Sequence, residues 1–190
     1  MEKVIDIFDY EINDLKDKIY NEFVCLVIKK ESLVKNQNRL KIQHDATVSF
    51  KNICFNNQVS IHIDEGVEEK ILISFHNCFI YSFSDFALIS KKVDLNFGNS
   101  IVRTLKIKSG NLNLIKLNNC FGSFFIEKVK KVNVSFTENN ILSDDLKKFP
   151  KINFNLDEFL SIKTSFHLTD INNIVFYGFE IEKENKDKLE

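Results

Sequence analysis

The 190-residue sequence predicts a mostly-β fold, a parallel β-solenoid of about seven to eight irregular rungs of 18–25 residues, preceded by an amphipathic capping helix. Three observations carry that expectation. Helical spacing of apolar residues occurs in one segment, residues 5–22. From residue 23 onward, short alternating runs rich in Phe, Val and Ile replace it, which is strand composition. Those runs also repeat, with the form apolar-x-apolar-x-x-(small or polar)-x-apolar.

The helix expected in 1–22 places Ile5, Phe8, Ile12, Leu15 and Ile19 on one stripe at steps of three and four. Asp6 or Asp9 supplies the N-cap. Its polar face is mixed to acidic, unlike the basic face of a helix that lies on a membrane. The stripe is therefore expected to pack on the first rung. An open solenoid end exposes apolar surface and unpaired strand edges, so a cap is needed there.

The repeat then fills residues 23–182. It reads Leu26-Ile28-Glu31-Leu33, Val48-Phe50-Ile53-Phe55, Ile73-Phe75-Cys78-Ile80 and Leu95-Phe97-Ser100-Val102. It continues as Ile115-Leu117-Cys120-Gly122, Val134-Phe136-Asn139-Ile141, Ile152-Phe154-Asp157-Phe159 and Ile174-Phe176-Phe179-Ile181. This alignment predicts one internal column of Phe50, Phe75, Phe97, Leu117, Phe136 and Phe154. Four copies also share Asn at one position: Asn52, Asn77, Asn99 and Asn119. Asn tolerates the left-handed backbone of a sharp bend, and stacked Asn side chains can bond from rung to rung. The charged tail, residues 183–190, is expected to keep the far end soluble.

The spacing of Leu112-x-x-Ile115-x-Leu117-x-x-Cys120 and of Phe149-x-x-Ile152-x-Phe154 resembles that of leucine-rich repeats. The β-rich stretches between the cores, VSIHI at 59–63, TLKIK at 104–108 and SFFIEKV at 123–129, make the chain more similar to a right-handed parallel β-helix. The resemblance concerns architecture only and implies no activity. An antiparallel β-sandwich is the competing fold, because it too has short Phe-rich strands joined by turns.

Composition narrows the functional classes. The 26 basic and 27 acidic residues nearly cancel, and no apolar run approaches the length of a membrane span. The N-terminus mixes acids among its apolar residues and does not read as a secretory signal. Cys25, Cys54, Cys78 and Cys120 form no CxxC pair, so reduced thiols and a cytoplasmic location are expected. The richness in Phe, Ile, Asn and Lys is that of a low-GC bacterium or its phage. His44, His62, His76 and His167 are too dispersed for a metal site, since His76-x-Cys78 offers at most two ligands where zinc needs three or four. The five glycines are isolated, and no nucleophile motif occurs. No cofactor, metal or catalytic residue is expected.

Lysines precede the starts of several rungs: Lys70, Lys91, Lys92, Lys130, Lys131, Lys147 and Lys148. Stacked in register, they would form a basic ridge. Lysines in such turns also serve simply to protect sheet edges. With two arginines in the chain and no exposed aromatics interleaved with the ridge, nucleic-acid readout ranks second. The leading expectation is a non-catalytic module that binds a protein partner through a rigid face. One such role is that of an inhibitor or immunity protein directed at a toxin or a nucleic-acid-processing nuclease, as with anti-CRISPR proteins. RNA or DNA binding along the ridge is the alternative. A carbohydrate-active β-helix is third.

Overall fold

A computed structural model describes residues 2–7, 18–29, 46–63, 67, 70–87, 93–108, 112–136 and 164–177. Its strands are β1 (Glu2–Ile7), β2 (Ile19–Tyr20), β3 (Phe23–Ile28), β4 (Ala46–Lys51), β5 (Cys54–Ile63), β6 (Ile71–His76) and β7 (Phe79–Ala87). They continue as β8 (Val93–Gly98), β9 (Ile101–Ile107), β10 (Leu112–Asn118), β11 (Phe121–Glu127), β12 (Lys131–Ser135), β13 (Ser165–Thr169) and β14 (Asn173–Tyr177). Two sheets result. The first runs β1-β3-β5-β7-β9-β11-β13, with β2 also on β5, and the second runs β14-β12-β10-β8-β6-β4.

Every pairing among these strands is parallel. The chain passes from the second sheet to the first within each rung, as β4 to β5, β6 to β7, β8 to β9 and β10 to β11. This is a parallel β-solenoid, and the parallel sense excludes the antiparallel sandwich. Residues 137–163, outside the described set, separate β12 from β13. The coil nevertheless resumes in register, with β13 on β11 and β14 on β12.

Alternation along each strand turns the repeat's apolar residues inward, where they stack rung on rung. Phe50, Phe75 and Phe97 form a continuous stack, with centroids 4.9 and 5.2 Å apart. From the opposite sheet Phe83 meets both Phe75 and Phe97 edge-on, at 5.8 and 5.6 Å. Stacked and edge-to-face contacts are the two arrangements that the aromatic quadrupole favours. Each of these rings is essentially fully buried, and burial of a Phe side chain contributes about 1.5–3 kcal/mol.

The corner from the second sheet to the first has the same construction in four rungs. Asn52, Asn77, Asn99 and Asn119 all have φ between 46° and 56°. Each donates its backbone N–H to a carbonyl of the next rung, at His76, Gly98, Asn118 and Ser135 respectively. Asn77 Nδ2 also donates to Asn52 Oδ1 at 3.4 Å, and Asn119 Nδ2 to Asn99 Oδ1 at 3.0 Å. The next column, the repeat's small or polar position, caps carbonyls. The Cys78 thiol donates to the His76 carbonyl, Ser100 Oγ to the Gly98 carbonyl at 2.8 Å and the Cys120 thiol to the Phe97 carbonyl at 3.2 Å.

Three expectations need correction. The column past Leu117 continues through Val134 and Phe176, not Phe136. The sixth copy begins two residues earlier than the sequence pattern predicts, because β10 to β12 is a short rung in which Ser135 meets Asn118 only 17 residues back. Phe136 instead takes the corner position of the Asn column, donating its N–H to the Tyr177 carbonyl, and Phe154 lies outside the described residues. The first copy belongs to the other sheet: Leu26 pairs with Ile61 of VSIHI. The capping helix expected over 5–22 is strand at both ends. Residues 5–7 lie in β1 beside Leu26, Val27 and Ile28, and Ile19–Tyr20 lies on Cys54–Phe55. The ladder on β3 pairs one edge of β1, and Ile5-Asp6-Ile7 alternates as a strand does. Residues 8–17 and the tail 183–190 lie outside the described residues. The first sheet thus begins before the boundary expected at residue 23.

Candidate functional site

The inward residues of the first sheet fix what stands on its outside. Because Phe124 and Ile126 face the core, Phe125 and Glu127 must face out. One outward column then reads Cys25, Ser60, Ser84, Lys106, Phe125 and His167. Along it lie Lys106, Phe125 and His167, all exposed on three neighbouring strands. Adjacent strands are about 4.8 Å apart, so these three residues span about 10 Å. The Phe125 and His167 rings stack at 4.6 Å with planes 4° apart.

Beside this column is a run of hydroxyls, with Ser165 Oγ donating to Ser123 Oγ at 3.3 Å. Thr104 pairs with Ser123 in the same run. Further along the face, the Arg103 guanidinium sits over the Tyr81 ring, 4.9 Å from its centroid. Arg103 is lifted there by an irregularity in the β9–β11 register, where Val102 pairs with Gly122 and Thr104 with Ser123. Tyr81 and Phe125, at 42% and 37% exposure, are two of the three large apolar side chains most open to solvent among the described residues. The third, Tyr177, stands on β14 of the other sheet.

Charge on this face is mainly positive. Among the described side chains of β7, β9, β11, β13 and their following turns, Arg103, Lys106, Lys108, Lys128 and Lys130 stand against Glu127 and Asp170. Glu127 lies at the turn margin, where Lys128 Nζ reaches its Oε1 at 3.2 Å. Arg103 and Lys106 lie inside the face, next to the aromatics.

The outer face of the second sheet is built differently, with its polar groups joined to one another. Ser74 and Asp94 are buried, and Asn113 Nδ2 donates to Asp94 Oδ1 at 3.1 Å. Asn118 Nδ2 donates to Asn96 Oδ1, and Ser135 Oγ donates to Asn118 Oδ1 at 2.7 Å. His76 lies here against Gly98, where a β-carbon would fall 2.6 Å from its Nδ1. Burial, and then the neighbouring Lys51, hold the His76 pKa below its usual range.

The expected lysine ridge is only partly in view. Lys91, Lys92, Lys147 and Lys148 lie outside the described residues. Lys130 and Lys131 are exposed and Lys70 is half-buried. Lys131 stands in the column of Leu72, Asp94, Leu114 and Asn173, two positions beyond the one that continues Lys70. These lysines are therefore staggered. His76 and Cys78 do not share a face either, because Asn77 bends the chain between them. Among the described residues, no group of three or more His, Cys, Asp or Glu is placed to hold a metal. None of them forms a helix long and apolar enough to cross a membrane.

Sequence reasoning missed Tyr81, Arg103 and Phe125 as surface residues. The Phe124-Phe125 pair held the signal: in a strand, one of two adjacent rings must face out. Comparison with protein-family models, with curated proteins and with solved structures found no match to this chain.

Proposed function

We propose that the protein is a non-catalytic binding module that presents the outer face of its first sheet to a macromolecular partner. The observation that carries this reading is the gathering of Tyr81, Arg103, Lys106, Phe125 and His167 on one exposed face. Behind that face, β7, β9 and β11 are anchored through the fully buried Phe83, Leu105 and Phe124. A platform held this firmly loses little conformational entropy on binding. Aromatic and Arg side chains are also the residue types that dominate interface energies. An inhibitor or immunity role would use the same face. The four cysteines are free thiols, which suits the reducing cytoplasm proposed as its location.

The test compares the full chain with a Tyr81→Ser, Arg103→Ser, Lys106→Ser, Phe125→Ser variant as bait in a lysate of the source organism. Loss of the captured partner, with an unchanged far-ultraviolet circular dichroism spectrum, supports the reading. Equal capture by both proteins overturns it.

A further inference from the structure

Resting on that binding-module reading, we infer that the partner is single-stranded nucleic acid, with bases stacking on the Phe125–His167 and Tyr81 rings and phosphates meeting Arg103 and Lys106. The arrangement matches what a single strand needs. Its backbone wants cations at intervals, and its unpaired bases want flat rings within reach. On this face the two alternate: Tyr81 under Arg103, then Lys106, then Phe125 on His167, across four neighbouring strands. The acids of the described face lie in or beside its turn margin, at Glu127 and Asp170. A protein partner of similar size would more often meet apolar patches with satisfied polar rims. Here Tyr81 is separated from the stacked Phe125–His167 pair by Arg103 and Lys106.

The neighbouring hydroxyls of Thr104 and Ser123 add donors for phosphate or sugar oxygens, with Ser123 Oγ itself accepting from Ser165. Nothing in the arrangement reads base edges in a fixed pattern, so the binding is tolerant of sequence. A duplex hides its ring faces inside the stack, so it meets only the cations. Preference for single strands over duplex is therefore the mark of this mode.

The experiment measures fluorescence anisotropy of labelled oligo(dT) and oligo(U), about 12 nucleotides long, and of a duplex of equal length, with the full chain across a salt series. Three results support the inference. The single strands bind more tightly than the duplex. Arg103→Glu with Lys106→Glu weakens binding at least tenfold and flattens the salt dependence. Tyr81→Ala with Phe125→Ala weakens it by a similar factor while leaving the salt slope unchanged. No binding of either oligonucleotide at low salt overturns the inference. So does equal binding of duplex and single strand with no effect of the aromatic variant, which is general polyanion attraction. The two readings separate in the lysate comparison. Nuclease-resistant capture of a protein that the face variants abolish would retain the binding module and remove the nucleic-acid partner. Capture indifferent to those variants removes both.

Discussion

Phe125 and His167 lie face to face on the outside of the first sheet, their ring centroids 4.6 Å apart and their planes within 4° of parallel. The pair joins β11 to β13 across a parallel ladder, yet both residues are exposed. A cross-strand pair of this kind contributes about 0.2–1 kcal/mol. Phe125→Ala is therefore expected to lower stability by no more than about 1 kcal/mol, read as the urea midpoint. A loss of several kcal/mol would show that this ring is a core element and not a contact surface.

The Asn column allows its two physical contributions to be separated. Asn99 has φ 46° and accepts a hydrogen bond from Asn119 Nδ2. Asn99→Gly keeps the left-handed backbone and loses the side-chain bond, at a cost of about 0.5–1.5 kcal/mol. Asn99→Ala loses the bond and adds about 1–2 kcal/mol of backbone strain. Alanine should therefore destabilise more than glycine in equilibrium unfolding. The reverse order would remove the backbone argument.

Ser100 tests the carbonyl-capping column. Its Oγ accepts from the Cys78 N–H at 3.1 Å and donates to the Gly98 carbonyl. Ser100→Ala orphans a buried N–H and is expected to cost about 1–3 kcal/mol. Ser100→Cys copies the neighbouring rungs and should cost less. Thermal unfolding of the two variants side by side decides the matter.

Gly122 tolerates no side chain. Its φ is 142°, and a β-carbon would fall 1.8 Å from the Val102 carbonyl oxygen. Gly122→Ala should shift β11 away from β9 and abolish cooperative unfolding. A variant with an unchanged melting curve would contradict this packing.

His76 gives the protein an acid-sensitive term. Burial and Lys51 lower its folded pKa from the usual 6.5. The unfolded chain therefore takes up a proton before the folded one does, and stability rises with pH across that interval. The contribution is complete above about pH 6.5 and is lost as pH falls toward the folded value. His76→Asn should flatten the pH dependence of the urea midpoint below about pH 6.5. An unchanged slope would place the acid sensitivity elsewhere.

The apolar-x-apolar cores and the Asn column were legible in the sequence, because both follow from periodicity and backbone chemistry acting within a few residues. From Val48 to Leu117 the register is marked in the sequence, since each of those rungs carries its own Asn bend. Where the bend residue changes to Phe136, the register was lost, and the column moved to Val134. A hydrophobic run fixes which side chains alternate, but only a partner strand fixes which of two registers is used. The same holds for β1, whose VIDI suits a helix stripe or a strand until β3 offers it a ladder. The candidate binding face was hidden for a related reason. Tyr81, Arg103, Lys106, Phe125 and His167 are scattered along the chain, the first and last of them 86 residues apart, and only stacking four strands in register brings them onto one surface. Local chemistry set the rungs and their corners; long-range parallel pairing decided which residues became neighbours.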